Sequence, residues 1–207
     1  MKSGARFVLL ASMFVSAWAC AQPAMEKPGY VIGDKWQYAW SAGDGQTGQR
    51  QREVAEIAPN GQVLIRYGGG KTDAYDSAMN FIPDANDPKP ERTLKLVAYP
   101  LRVGSDWTWK REFPSPGIAE TITGKVVAYE AVTVPAGAFT CFRVEASGSQ
   151  TSGKHNKLNR KWTHWYCPEV KGYAKMILET QTFNAFNPAA TGTSVETFEL
   201  TKFTPGK

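Results

Sequence analysis

The sequence predicts an all-β protein, a single antiparallel meander curved into a half-barrel or barrel. Beyond residue 21 the chain is rich in Thr, Val, Tyr, Trp and Gly and alternates polar with apolar residues in short runs. Apolar residues almost never recur with the i, i+3, i+4, i+7 spacing of an amphipathic helix, which leaves the two-residue period of strands as the main signal. Turn residues interrupt the runs at short intervals. Joins so short fit hairpins rather than the long crossovers that parallel strands need.

Residues 1–21 read as a secretory signal peptide. Lys2 and Arg6 precede the apolar run FVLLASMFVSAWA, and small residues then give way to QPAMEKPG. The run is well short of the roughly 20 residues a membrane-spanning helix needs, and no later segment comes close, so no transmembrane segment is expected. Two small-x-small cleavage sites overlap, Ala17-Trp18-Ala19 before Cys20 and Ala19-Cys20-Ala21 before Gln22. Cutting at the second discards Cys20 and yields a soluble periplasmic or secreted chain, which is the reading adopted. Cutting at the first leaves Cys20 for lipidation and gives a membrane-anchored lipoprotein. A lipoprotein signal favours an aliphatic residue three before the cysteine and a small one two before it, whereas Ala17 and Trp18 stand there. An uncleaved leader is the third alternative.

Residues 22–207 then form one β domain, since no linker is long or polar enough to divide them. Strands are expected, in order, at DKWQYAWS (34–41), QRQREVAEI (49–57), QVLIRY (62–67), TLKLVAY (93–99) and DWTWKREF (106–113). They continue at ETITGKVVAYEAVTV (120–134), AFTCFRVEASG (138–148), RKWTHWYC (160–167), GYAKMILETQTF (172–183) and SVETFELTKF (194–203). KTDAYDSAM (71–79) fits a further strand or one helical turn. Pro59-Asn60-Gly61 and Pro135-Ala136-Gly137 each close a tight hairpin, while PDANDPKPE (83–91) holds too many prolines for a ladder. VIGDKWQY (31–38) and RVGSDWTW (102–109) echo one another, each with a Gly, a Trp three residues later and an aromatic two further on. A duplicated half-barrel unit explains the echo, and chance is its rival.

Losing Lys2 and Arg6 with the leader takes the formal charge from +5 to +3, too mild for a nucleic-acid footprint. Without Cys20 the odd cysteine count becomes a pair, Cys141 and Cys167, in a compartment where thiols oxidise. Residues facing each other across a hairpin have numbers with a constant sum. Pairing the cysteines centres the turn on Lys154, inside TSGKHNKLN, the only turn-like stretch between them. The same register sets Phe142 opposite Tyr166, Val144 opposite His164 and Ala146 opposite Trp162 on an apolar face, with Arg143 opposite Trp165 and Glu145 opposite Thr163 on a mixed one. A slip of one residue scrambles both faces, so the pattern supports the register and a Cys141–Cys167 disulfide together. Two free core thiols are the alternative.

Little points to catalysis. His155 and His164 are the only histidines, placed at a hairpin tip and on a core-facing strand position, too far apart for one metal; no metal site and no cofactor are expected. His164, between Trp162 and Tyr166, reads as a core histidine. GGGKT (68–72) ends like a phosphate-binding loop, but Ile65 stands where that motif needs glycine. Asp84, Asn86 and Asp87 lack the other ligands of an EF-hand loop. No G-x-S-x-G elbow and no C-x-x-C pair occur. Trp36, Tyr38 and Trp40 share one strand face and Trp107 and Trp109 another; with His164 they are the candidates to line a ligand pocket, against the plainer reading that they fill the core. Lys154, Lys157, Arg160 and Lys161 make a basic hairpin tip able to meet anionic head groups, or simply a solvated loop.

VTVPAGAFTCFRVEA (132–146), followed by WTHWYCPEVKGYAK (162–175) and preceded by PLRVGSDWTW (100–109), resembles a signature of proteobacterial exported proteins of unknown function. That signature runs V-P-A-G-T-F-x-x-x-x-V, then W-Y-x-P-x-V-G-x-x-K, with P-L-x-V-G-x-x-W before it. The match covers about the C-terminal half and consists of hairpin and turn motifs. Such domains are similar to the open half-barrels of lipoprotein carriers (Lol type), which implies a curved sheet around an apolar cavity and no established activity. The two cysteines depart from the pattern.

The expectation is therefore a non-catalytic exported protein that binds an apolar small molecule or lipid along its aromatic strand faces. The alternative is an envelope interaction protein that docks a partner protein through a strand edge or the basic hairpin. An enzyme acting on envelope polymer comes third.

Overall fold

The computed structural model describes residues 23–86, 89–112, 118–152, 156–184 and 192–207. Residues 1–21, read above as a leader and including Cys20, lie outside them, as do Lys154 and His155. Thirteen strands are described: β1 (Ala24–Met25), β2 (Lys35–Ala42), β3 (Thr47–Ile57), β4 (Val63–Tyr67), β5 (Thr72–Tyr75), β6 (Phe81–Ile82), β7 (Leu101–Arg102), β8 (Asp106–Glu112), β9 (Ile118–Val134), β10 (Gly137–Ser152), β11 (Asn156–Cys167), β12 (Gly172–Asn184) and β13 (Gly192–Thr204). The described helical turns are single 3-10 turns at Pro90–Arg92 and Pro168–Val170. β1 and β7 make a small ribbon, and the other eleven strands form one open antiparallel sheet in the order β6-β5-β4-β3-β2-β13-β12-β11-β10-β9-β8. The expected all-β meander is thus an open sheet, not a closed barrel. Among the described residues no helix is long and apolar enough to cross a membrane.

The sheet rolls because four strand pairs carry a bulge, at Ala55, Val127, Ala174 and Thr201, each an extra residue that bends its strand and tightens the twist. The curl brings distant strands together. β9 stands four strands from β13, about 19 Å in a flat sheet, yet Ala136 N in the β9–β10 turn donates to Leu200 O of β13 at 2.9 Å. This rolled end holds the largest apolar cluster, in which Cys141 and Cys167 pack with Trp36, Val134, Val170 and Leu200. The cysteines form a disulfide. Pairing of β10 with β11 follows the predicted sum at every position from Phe142↔Tyr166 to Ser152↔Asn156.

TLKLVAY is not a strand. Residues 93–99 make one isolated bridge, Leu94 to Phe81, and otherwise cross the concave face of the sheet. Leu94 and Leu96 pack on Ile122, Ala146 and Trp162, while Val97 joins Val126, Val144 and Phe142. The alternation that suggested a strand is real, but the segment lies inside the trough with sheet below it and no edge beside it. Its backbone is met by a side chain instead: Asn80, 4% exposed, accepts through Oδ1 from Leu96 N (3.1 Å) and Val97 N (3.3 Å). Asp76 holds Asn80 in turn, accepting from its N (2.9 Å) and Nδ2 (3.2 Å). A buried amide so used supplies the bonds a neighbouring strand would have made.

The two echoed segments adopt one turn. Gly33 and Gly104 take φ of 90° and 94°, the left-handed region open to glycine. Gly33 N donates to Val54 O at 2.9 Å and Val54 N to Asp34 O at 2.9 Å; Gly104 N donates to Val126 O at 2.8 Å and Val126 N to Ser105 O at 2.8 Å. Both valines are fully buried, and each immediately precedes a bulge. The likeness therefore extends from sequence to hydrogen bonding.

Candidate functional site: an aromatic cavity on the concave face

Segment 93–99 fills one part of the trough and leaves a cavity of about 420 Å³ beside it. β2 to β5 form one wall, β11 to β13 the other, and Leu94 and Leu96 the end. The lining is chiefly aromatic and aliphatic, and the volume falls within the roughly 300–1,000 Å³ usual for small-molecule pockets.

The wall is pre-arranged by ring contacts. Tyr38 and Tyr173 stack at 4.9 Å with 25° between planes, and Tyr38 Oη donates to Tyr173 O at 3.1 Å. The Tyr67 and Tyr75 hydroxyls bond to each other across β4 and β5. Burial pushes the phenols of Tyr38, Tyr67 and Tyr166 well above their ordinary range, so they stay protonated. One cation stands among them. Arg52 of β3 reaches Tyr173 Oη with Nη1 at 3.3 Å, and its guanidinium carbon lies 5.3 Å from the Tyr75 ring centroid. Arg50, two residues earlier on the same strand face, sits exposed at the mouth, 4.6 Å over the Trp40 ring.

His164 is 2% exposed, stacked on Tyr166 at 5.2 Å and edge-on to Tyr173 at 5.5 Å, with Nδ1 buried and without a hydrogen-bond partner among the described residues. Burial, reinforced by the Arg52 charge, pushes its pKa from 6.5 down to about 3. The imidazole is neutral, and at ordinary pH it cannot serve as a proton donor of the imidazolium kind. A depressed pKa makes the folded state bind fewer protons than the unfolded chain below pH 6.5. Stability is therefore greatest above that pH and falls as acid is added. Between pH 6 and pH 5 the loss from this one group should be about 1 kcal/mol. Urea unfolding of wild type and His164→Phe at both pH values checks this: the acid-side difference should shrink by that amount in the variant, and an unchanged difference would show His164 already charged.

Of the residues expected to line a ligand, Tyr38 and His164 stand on the wall, whereas Trp36, Trp40, Trp107 and Trp109 do not. Three of these indoles are drawn aside by partners for their N–H. Trp36 Nε1 donates to Val170 O at 2.7 Å, and its ring packs on Phe203. Trp40 Nε1 donates to Glu196 Oε2 at 3.3 Å, and Trp109 Nε1 to Thr93 O at 3.0 Å with Lys95 Nζ 3.5 Å above the ring. Trp107 lies flat over Gly124, where a Cβ would come within 2.2 Å of its ring. Two cations of the basic hairpin have carboxylate neighbours, while Lys157 is exposed. Arg160 reaches buried Glu120 at 3.4 Å beside the 2.6 Å Arg111–Glu120 pair, and Lys161 lies 3.8 Å from Glu179. No group of three His, Cys, Asp or Glu among the described residues is placed to hold a metal.

The chain reading missed Arg52, Tyr67, Tyr75, Tyr166 and Tyr173 as wall residues. One signal was present: in QRQREVAEI the two-residue period puts Arg50 and Arg52 on the face of Val54, which points two cations toward the core. The tyrosines meet only through the roll of the sheet.

No family model matches the chain, and no curated protein matches it. Solved structures of similar shape include a candidate lipoprotein of Parabacteroides distasonis, 14% identical over 88% of this chain and 100% of that one, with a TM-score of 0.44. A candidate exported protein with a YmcC-like fold from Bacteroides fragilis is 15% identical over 88% and 100%, with a TM-score of 0.41. The hypothetical lipoprotein YmcC of Escherichia coli is 11% identical over 84% and 86%, with a TM-score of 0.44. At such identities and scores the likenesses assign neither activity nor ligand.

Proposed function

We propose that this chain is an exported, non-catalytic binding module that carries an apolar or lipid-like ligand in the trough of its half-barrel. The leader at 1–21 delivers it to the periplasm, soluble if Cys20 is discarded and membrane-anchored if Cys20 is lipidated. One observation carries the reading: the trough, which a structural sheet would have filled, keeps a pre-formed cavity of about 420 Å³ walled by aromatic and aliphatic side chains. Neutral His164 and paired tyrosine hydroxyls suit retention of a ligand rather than proton transfer.

The test is fluorescence titration of the mature protein with a naphthylamine probe, whose emission rises on leaving water. Wild type should enhance the emission saturably, and Met176→Trp, which fills the wall, should weaken the probe by at least tenfold with unfolding intact. Equal binding by both proteins, or none by either, would place the apolar site elsewhere or remove it. Solvent extraction of protein taken from its native host, followed by mass spectrometry, should then release a bound lipid-like molecule.

A further inference from the structure

Arg52 is the part of the cavity that an apolar ligand leaves unexplained. It is half-buried on the wall, its Nε is wholly buried without a hydrogen-bond partner, and only Nη1 is engaged, by Tyr173 Oη at 3.3 Å. The groups around it are Tyr173, Tyr75, Tyr67 and Tyr38, and among the described residues no carboxylate pairs with it. A guanidinium cannot shed its charge, and a buried cation without a counter-ion is costly unless something else supplies the negative charge.

The neighbouring hydroxyls have the same bias. Within the Tyr67–Tyr75 pair one phenolic proton is spent on the partner oxygen, which leaves the other for a third acceptor. Tyr173 Oη accepts from Arg52 and keeps its own proton to give. Exposed Arg50 at the mouth adds a second positive charge, and buried His164 is neutral. The site presents a cation and unspent donors, and its complement is an oxyanion.

We infer that the ligand is an amphiphile with a carboxylate head, seated on Arg52, and that its apolar body lies along Leu96, Trp162, Met176 and Phe198. The inference rests on the binding role proposed above. Nη2 of Arg52 carries no hydrogen bond among the described residues, and the planar guanidinium fork matches a planar two-oxygen head better than a point charge would. A phosphate dianion would bring more negative charge than one buried cation neutralises. Arg50 at the entrance would draw the anion in.

Calorimetric titration of the mature protein with dodecanoate, dodecanol and dodecyl phosphate tests this. Wild type should bind dodecanoate at least roughly tenfold tighter than dodecanol, the range of one charge-assisted hydrogen bond. Arg52→Gln should remove that advantage, so that dodecanoate and dodecanol bind the variant alike, while Arg52→Lys, which keeps the charge without the fork, should retain part of it. Equal binding of dodecanoate and dodecanol to wild type overturns the inference and leaves the apolar reading standing. Tighter binding of dodecyl phosphate overturns the choice of head group. Binding of none of the three overturns the binding role itself. The wild-type series decides the matter even if Arg52→Gln fails to fold.

Discussion

Replacing Asp34 with alanine should lower the unfolding free energy by about 4 kcal/mol, the scale for breaking a buried charged cluster from one side. Asp34 is wholly buried at the turn that opens β2. Its carboxylate accepts from Val31 N at 2.8 Å, from Gly206 N at 2.9 Å and from Lys171 Nζ at 2.9 Å. One side chain thus ties the first turn to the chain end and to the turn between β11 and β12. Alanine would strand two backbone donors and an ammonium with no acceptor in reach. The two backbone bonds carry most of the effect, because Lys171 keeps about a quarter of its side-chain exposure and water screens its charge. Asp34→Asn, which can still accept at one oxygen, should cost about half as much. Urea unfolding monitored by tryptophan fluorescence measures both. A loss below about 1 kcal/mol for alanine would mean that the three partners re-pair without the carboxylate.

Removing the disulfide is the second large effect. Cys141 and Cys167 are 26 residues apart, and opening a loop of that length should cost about 3.5 kcal/mol in the chain-entropy view. Cys141→Ser with Cys167→Ser adds the burial of two hydroxyls among Trp36, Val134 and Leu200, so Cys141→Ala with Cys167→Ala is the cleaner variant. Its urea midpoint should fall, and wild type measured with reductant should fall to the same value. If reduction leaves the midpoint unchanged, the bond adds nothing to a hairpin already set by its ladder.

That hairpin was readable to the residue because two independent patterns demanded one register: the cysteines required a turn at Lys154, and that turn sorted Phe142, Val144, Ala146, Trp162, His164 and Tyr166 onto one buried face. The other long strands were readable from period alone, to within about four residues at their ends, whereas the two-residue strands β1, β6 and β7 were not. What failed was partner assignment. TLKLVAY alternates like a strand, but period says which face is buried and not whether an edge is available, and here the Asn80 side chain bonds the backbone instead. The cavity was legible only in part for a related reason. Tyr38 and His164 lie on strands whose inner face was clear, whereas Tyr67, Tyr75 and Tyr173 converge through bulges at Ala55 and Ala174 that no turn residue announces. Trp36, Trp40 and Trp109 stand off this cavity because each indole N–H has found a partner elsewhere, which a count of apolar area does not register.

The order of the sheet also bears on synthesis. β13, at residues 192–204, follows the other described strands in chain order, yet it lies between β2 and β12, near the middle of the sheet. β2 to β6 can assemble as soon as they emerge, and so can β8 to β12, because every join within each set is between consecutive strands. Until the final strand arrives, β2 and β12 each display an unpaired edge, one bearing Tyr38 and Trp40 and the other Met176 and Leu178. Such edges recruit strands from other chains. A nascent or truncated chain ending before residue 192 is therefore two half-sheets seeking the same missing strand, and the safety of the fold depends on how soon residues 192–204 follow.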